Sequence, residues 1–347
     1  MKYAMIVGFS LLVNSLFAQI EVPNGAAQKK CYEKRDALKG KRFVEWECGK
    51  IAGVIDCNEK LEYDEGSNTL FSKSSGSPFT GKCETCHQNG ILERRINFVN
   101  GKEDGPDSTY YETGCLMVVR NHIGGKENGK WVFYYDSSQY IAWEMNYALG
   151  EKNGPQIFMG PKGDTTLVET YKNGVLNGKK KTFYAKSKVE KEVNYLNGLF
   201  HGAFIIYNKE GKVLQSLNYK QGKKDGTCTY FYDDGTLLRT ESWLMDQKNG
   251  EFKTLFYNGT VQVIENYKKG LKEGWFEERF PDQKLKRRAL YKKDVLIEEH
   301  VYNDQGKEIS TFGATSSKGA EDDEMPAPKT KKPKKEKKAK KGEAKKE

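Results

Sequence analysis

The sequence predicts an all-β fold, an elongated single-sheet solenoid of stacked antiparallel β-hairpins. Three observations predict it. Glycines return every 24 or 25 residues from Gly81 to Gly274, apolar side chains hold fixed places between them, and Gly (35) far outnumbers Pro (9) in a chain that is 12% aromatic. That mix favours short strands joined by tight turns over long helices. A chain of 347 residues ordinarily means several globular units, but a sustained repeat overrides that prior.

Residues 1–18 read as a cleaved export signal. Lys2 gives the positive start, the run from Ala4 to Phe17 is apolar apart from Gly8, Ser10, Asn14 and Ser15, and Ala18 is a small residue before Gln19. The run is short for a membrane span and lacks a basic stop-transfer flank. The mean hydropathy of −0.79 leaves no second span. The expected location is therefore outside the cytoplasm: periplasm, cell envelope or extracellular space. Such compartments permit disulfides. With seven cysteines, at least one thiol has no internal partner.

Residues 19–80 are expected to form an N-terminal cap containing Cys31, Cys48 and Cys57. Leu61, Tyr63, Leu70 and Phe71 flank the turn-like Asp64-Glu65-Gly66-Ser67, which predicts an irregular hairpin held by one disulfide. Terminal units of a solenoid depart from the repeat because one side must meet water.

Residues 81–298 hold nine repeats, aligned on Gly81, Gly105, Gly129, Gly154, Gly178, Gly202, Gly226, Gly250 and Gly274. Taking these turn glycines as position 0, a second glycine recurs at +9 (Gly90, Gly114, Gly163, Gly211, Gly235, Gly259) and a third near +20 (Gly101, Gly125, Gly150, Gly174, Gly198, Gly222, Gly270). The +9 glycine often follows Asn or Asp, which predicts a type I′ turn there and a wider turn at +20. Position +6 carries Tyr111, Tyr135, Tyr184, Tyr232, Phe256 and Phe280. Position +11 carries Leu92, Leu116, Val189, Val213, Leu237, Val261 and Leu285. Position +17 carries Phe98, Tyr171, Tyr195, Tyr219, Trp243, Tyr267 and Tyr291, with His122 in the same column. The third repeat has one extra residue near Ser137-Ser138, which moves its columns to Ile141 and Tyr147. The even offset between +11 and +17 predicts that they share one strand face. One hairpin cannot bury such a face alone, so the units must stack. At two strands per repeat the array would extend on the order of 85 Å.

The pattern departs from itself at Asp246 and Asp294, where a third glycine is due, at Ser187 on a +9 site, and in the long turn over 160–167. Glu298 stands where a further position-0 glycine is due, so the array is expected to close there, with a last cap strand within 299–313. From Ala314 to Glu347 the composition predicts a disordered, Lys-rich tail. Residues 329–347 alone carry eleven Lys against three Glu, so the tail holds +8 of the net +10 and the rest of the chain only +2. Specific nucleic-acid binding needs a basic folded face and is not expected. The tail itself is suited to adhesion to an anionic partner.

The segments GAFIIYNKEGKVLQSLNYKQGKKDG (202–226) and GEFKTLFYNGTVQVIENYKKGLKEG (250–274) resemble the variant MORN repeat, and the resemblance extends over about 218 residues. It implies a hairpin solenoid acting as an interaction scaffold, with some eukaryotic relatives of the repeat associating with membranes. Bacterial proteins with this variant are often described as antitoxin-like, of the YwqK type. That resemblance implies an inhibitor of a partner protein, which sits poorly with an export signal.

The sharpest chemical motif is Cys83-Glu84-Thr85-Cys86-His87, a C-x-x-C-H pattern of the kind that attaches a c-type haem in an electron-transfer protein. Against it, His87 falls on the +6 aromatic column, and Gly90 and Leu92 follow at ordinary repeat positions. A thin sheet also offers nothing to enclose a macrocycle. No second pair of Cys or His at local spacing supports zinc. Pairing of Cys83 or Cys86 with Cys115 in the next repeat stays open. Cys228 shares position +2 with Cys83 but lies six repeats away, beyond disulfide reach, and is expected as a free, half-buried thiol. No nucleophile elbow, H-E-x-x-H or P-loop occurs. The expectation is no catalytic residue, no metal ligand and no cofactor. What remains is an exported, non-enzymatic binding scaffold whose partner is an envelope protein, glycan or membrane surface.

Overall fold

A computed structural model describes residues 48–136 and 140–313. The export signal, Cys31, Ser137-Ser138 and the Lys-rich tail lie outside the described residues. Among the described residues the fold is the expected one: a single long, mostly antiparallel sheet of 27 strands that does not close into a barrel. No helix among them is long and apolar enough to cross a membrane.

Most repeats open at the position-0 glycine with a first strand, as in Gly178–Phe183, Gly226–Phe231 and Gly274–Arg279, while at Gly105 and Gly202 the strand begins three residues earlier and runs through the glycine. An eight-residue second strand follows, as in Val189–Leu196, Leu237–Leu244 and Leu285–Lys292. The +17 aromatic lies opposite the glycine: Gly178 faces Tyr195, Gly226 faces Trp243 and Gly274 faces Tyr291. A large ring is thus paired with a residue that has no side chain to collide with it.

Two expectations about turns and faces need correction. The two turns are exchanged. The tight I′ turn is the one near +20, where both central residues have positive φ, as at Asn197 (51°) and Gly198 (79°) or Lys269 (51°) and Gly270 (85°). At the opposite edge the Gly235 N–H donates to the Tyr232 carbonyl and the Tyr232 N–H to the Thr236 carbonyl, a type I turn closed by a glycine bulge. Asn-Gly and Asp-Gly suit both geometries, so the dipeptide does not decide between them.

The +11 and +17 columns do not share a face. In all nine repeats the pairing of first and second strands slips by one residue beside the bulge turn, for example between Tyr230 and Phe231 and between Thr254 and Leu255. A bulge inserts one unpaired residue and so reverses the alternation of faces beyond it. Leu116 at +11 accordingly packs with Val119, Val132 and Tyr134, whereas His122 at +17 meets Trp131 and Glu103 on the other face.

Past Glu298 the sheet continues. Val295–Tyr302 is one unbroken strand, and Glu308–Phe312 pairs with it as a further hairpin. Its turn repeats the bulge geometry, with the Gly306 N–H donating to the Asn303 carbonyl. The missing glycine at 298 therefore ends the motif without ending the sheet.

At the other end the cap begins with strand β1 (Val54–Asp56), the short helix α1 (Cys57–Lys60), and the hairpin β2 (Leu61–Asp64) and β3 (Thr69–Ser72). β1 joins the sheet in parallel against β4 (Gly81–Cys86). Two disulfides, Cys57–Cys83 and Cys48–Cys86, fasten this cap to the first repeat, where one bond was expected. Neither Cys83 nor Cys86 is thereby left for Cys115. Leu61 drops from the hairpin onto Cys83, Ile96 and Phe98.

Candidate functional site

No second layer covers most of the sheet among the described residues, so its surface is the candidate site. One side, the aromatic face, is organised around a row formed by +2 and the facing +15. Val193, Leu217, Cys228, Phe252, Phe276 and Ala289 in that row are buried, Cys228 and Ala289 completely. The +17 rings lie beside the row and touch one another through +2. Trp243, Phe252, Tyr267, Phe276 and Tyr291 form a continuous ladder with ring centroids 5.5, 5.1, 5.4 and 4.9 Å apart, all T-shaped. Such edge-to-face pairs place the positive ring edge on the negative ring face.

A lysine column completes the ladder. The Lys224 ammonium lies 4.8 Å from the Trp243 ring centre, Lys248 4.3 Å from Tyr267 and Lys272 4.7 Å from Tyr291. Lys152 repeats the contact with Tyr171 at 5.1 Å. The stems lie along apolar surface while the charges sit over ring faces. These lysines come just after the I′ turn, where a search for apolar columns passes over them.

The +6 column does different work. The Tyr111 hydroxyl donates to the Tyr134 carbonyl (2.6 Å), Tyr135 to Met159 (2.7 Å) and Tyr184 to Tyr207 (3.0 Å). Each phenol therefore ties one bulge turn to the next strand pair. His87 Nε2 makes the same contact with the Tyr110 carbonyl at 2.9 Å. The imidazole of the C-x-x-C-H motif is thus a member of this series, and both of its sulfurs are engaged, Cys83 with Cys57 and Cys86 with Cys48. Thioether attachment of a haem would require both disulfides to be broken. Cys228 is the free cysteine among the described residues, and it is fully buried where half-burial was expected. Burial pushes its thiol pKa up, which leaves little thiolate for reaction.

One structural column escaped the sequence reading. The +16 residue is Asn in several repeats, and the amides of Asn194, Asn218 and Asn266 donate to the carbonyls of Ala203, Thr227 and Trp275 in the following repeat. Thr170 does the same with its hydroxyl to Lys179. The signal was present as a recurrent Asn-Tyr dipeptide before the I′ turn. A polar column carries no burial pattern, so periodicity of apolar residues does not find it.

The two edges differ in chemistry. The bulge edge carries the inward-turned +6 phenols together with the exposed Tyr140 and Tyr257. The I′ edge exposes aliphatic side chains in one row, including Leu149 (60% exposed), Leu199 (52%), Leu244 (48%) and Val295 (60%), with Val175, Leu196 and Leu271 among them. Exposed lysines stand directly across the turn from members of this row: Lys172 opposite Val175, Lys268 opposite Leu271 and Lys292 opposite Val295.

Residues 176–197, 200–221 and 224–244 match the family model of the MORN repeat variant, three consecutive repeats. No curated protein matches the chain. Among solved structures, the Tc holotoxin pore of Photorhabdus luminescens aligns with 71% of this chain and 14% of its own at 10% identity and a TM-score of 0.17. The TcdB2-TccC3 complex aligns with 67% of this chain and 16% of its own at 11% identity and a TM-score of 0.14. This chain therefore spans well under a fifth of the length of those chains. Likeness at that level bears on neither fold nor function.

Proposed function

We propose that this chain is an exported, non-enzymatic binding scaffold of a bacterial cell envelope that docks a partner protein along the I′ edge of its array. The observation that carries the reading is the single row of exposed aliphatic side chains on that edge, interspersed with lysines. Isolated exposed leucines need no explanation, but exposed aliphatic side chains that recur at the turn positions of one edge, interrupted by charge as at Lys220 and Lys223, mark an interaction surface. Stacked repeats place such side chains at intervals of about 10 Å, two strand spacings. A partner with an apolar groove bordered by acidic side chains fits that pattern.

The match of three repeats to the MORN variant supports a scaffold role for the repeats. Replacing Leu196, Leu199, Leu244 and Leu271 together by Ser removes apolar groups that are about half exposed and lie outside the buried row, so the fold is expected to persist. Crosslinking in envelope fractions should capture a specific protein neighbour with the natural chain and lose it with the fourfold variant. Recovery of the chain in the cytoplasm, or an unchanged crosslink pattern in the variant, overturns the reading.

A further inference from the structure

Where the cap hairpin overhangs the aromatic face of the first two repeats, it encloses a cleft of about 460 Å³. Ile96 and Phe98 form its floor, Tyr63 and Leu70 its roof, and Arg94 and Glu103 its wall. The roof is held tightly. The Leu70 N–H donates to the Gly101 carbonyl at 2.9 Å, a Cβ on Gly101 would lie 2.6 Å from the Leu70 carbonyl oxygen, and Cys57–Cys83 anchors the start of the hairpin. Lys102 braces the hairpin turn by donating to the Ser67 and Asn68 carbonyls. The cleft therefore exists before any ligand arrives, which lowers the cost of binding.

Its charges are already matched to each other. Arg94 grips the fully buried Asp107 through two hydrogen bonds, Nε to Oδ1 at 3.0 Å and Nη2 to Oδ2 at 2.9 Å. Arg94 also donates to Glu103 at 2.9 Å, Arg120 reaches Asp107 at 2.8 Å, and His122 Nε2 lies 3.2 Å from Glu103. An incoming anion would compete with Asp107 for Arg94, and an incoming cation would compete with Arg94 for Glu103. Either exchange gives up a charge-assisted hydrogen bond already made in a partly dry wall in return for a similar one, so a net charge on the ligand gains little there. The wall can still offer directional hydrogen bonds from charged groups, which are stronger than neutral ones. On the hairpin side, the Tyr63 ring is 54% exposed and its hydroxyl is held by the Asn68 side chain.

We propose that this cleft binds a neutral pyranose, as a free sugar or the terminal unit of a glycan. A pyranose is apolar on its ring faces and polar around its rim. Its C–H face would lie on the Tyr63 ring and its hydroxyls would meet Arg94, Glu103 and Thr85, all of which line the cleft. The volume is within the range of small-molecule sites. None of the residues lining the cleft belongs to the aliphatic row of the I′ edge, so the two readings fail independently.

The test is ligand-observed NMR and calorimetry on the full chain with methyl glucosides, methyl galactosides, N-acetylglucosamine and cellobiose. Glucuronate and galactosamine serve as the anionic and cationic counterparts. At least one neutral pyranoside should bind with millimolar or tighter affinity, and Tyr63→Ala should weaken it by roughly tenfold or more. Tighter binding of cellobiose than of methyl glucoside assigns the cleft to a glycan end, and equal binding assigns it to a free sugar. Tyr63→Phe, which keeps the ring, should retain binding, and Tyr257→Ala at a distant exposed tyrosine should change nothing. Failure of every neutral pyranoside to bind up to about 10 mM, equal binding by Tyr63→Ala, or tighter binding of either charged sugar would overturn the proposal.

Discussion

Position 0 shows why a glycine recurs. Gly178 has φ of +113°, and a Cβ there would meet the Thr170 Cβ at 3.1 Å, crowding the side chain that bonds to Lys179. Gly211, at +9, has φ of +88° but open space around it. Both positions carry backbone strain for an L residue, of about 1–2 kcal/mol. Of the two, Gly178 alone adds a steric clash. Gly178→Ala should therefore lower the midpoint of thermal or denaturant unfolding clearly more than Gly211→Ala, and equal effects would show that the contact with Thr170 is slack. Asp246 and Asp294 illustrate how the array tolerates a lost glycine. Both sit at positive φ, and their carboxylates accept the N–H groups of Lys224 (2.7 Å) and Lys272 (2.6 Å). Asp is among the few residues that enter this region readily, and here each carboxylate also ties its turn to the preceding repeat. The amide staple gives a second expectation. Asn218→Ala removes its bond to Thr227 while leaving the strand pairing, and should cost about 0.5–1.5 kcal/mol by equilibrium unfolding. The glycines were legible in the sequence because backbone conformation leaves a chemical signature. The asparagines were not, because a polar column looks like solvent-facing sequence until the partner carbonyl is located.

Among the strands and turns, the last hairpin joins its edge strand through a titratable contact. His300 Nε2 lies 2.6 Å from Glu298 on its own strand, and Nδ1 lies 3.1 Å from Glu308 on the edge strand. Arg288 is paired with His300 on the preceding strand, and Tyr302 stacks beside it. The hydrogen bonds to Glu298 and then Glu308 raise the imidazole pKa above its usual value. For a group raised in the folded state, the contribution is complete below the unfolded value of about 6.5 and fades as pH rises through the folded value. The edge strand Glu308–Phe312 should therefore loosen on passing upward through neutral pH. Hydrogen exchange of its amides, corrected for intrinsic base catalysis, should show protection falling over that window, and His300→Gln should flatten the dependence. A pH-independent profile in the natural chain would sink this account. Element positions were largely legible, since turn residues punctuate the strands. Turn type and face assignment were not. They depend on whether a dipeptide closes an I′ turn or a bulge, and Asn258-Gly259 satisfies either before the register is known. The cysteine pairing was likewise closed to sequence, because spacing says nothing about which strands the cap lies across.

The full array behaves as a one-dimensional stack in which neighbouring repeats are joined by recurring kinds of bond. The I′ turns link in series, with Gly198, Gly222 and Gly270 donating to the Leu176, Phe200 and Lys248 carbonyls of the preceding repeat. The amide staple and the lysine–aromatic ladder repeat across the same boundaries. Stability in such a stack is close to a sum of repeat and interface contributions. Removing residues 226–249, one complete repeat of 24 residues, joins Asp225 to Gly250 and restores every kind of contact at the new boundary. Contacts specific to that unit go with it, among them the Trp243 ring, the buried Cys228, the Asp246 carboxylate on the Lys224 N–H and the Tyr232 and Asp234 contacts to Tyr257. The shortened chain should fold and keep its far-UV spectrum, and small-angle scattering should report a maximum dimension smaller by about 10 Å, two strand spacings. Removing only residues 226–237 deletes half a unit and sets a second strand against a second strand. The faces and turn edges then no longer match, so this chain should unfold or aggregate. If both deletions are tolerated alike, the repeat boundary at the position-0 glycine has no structural meaning. If neither is tolerated, cooperativity must extend over more than adjacent units.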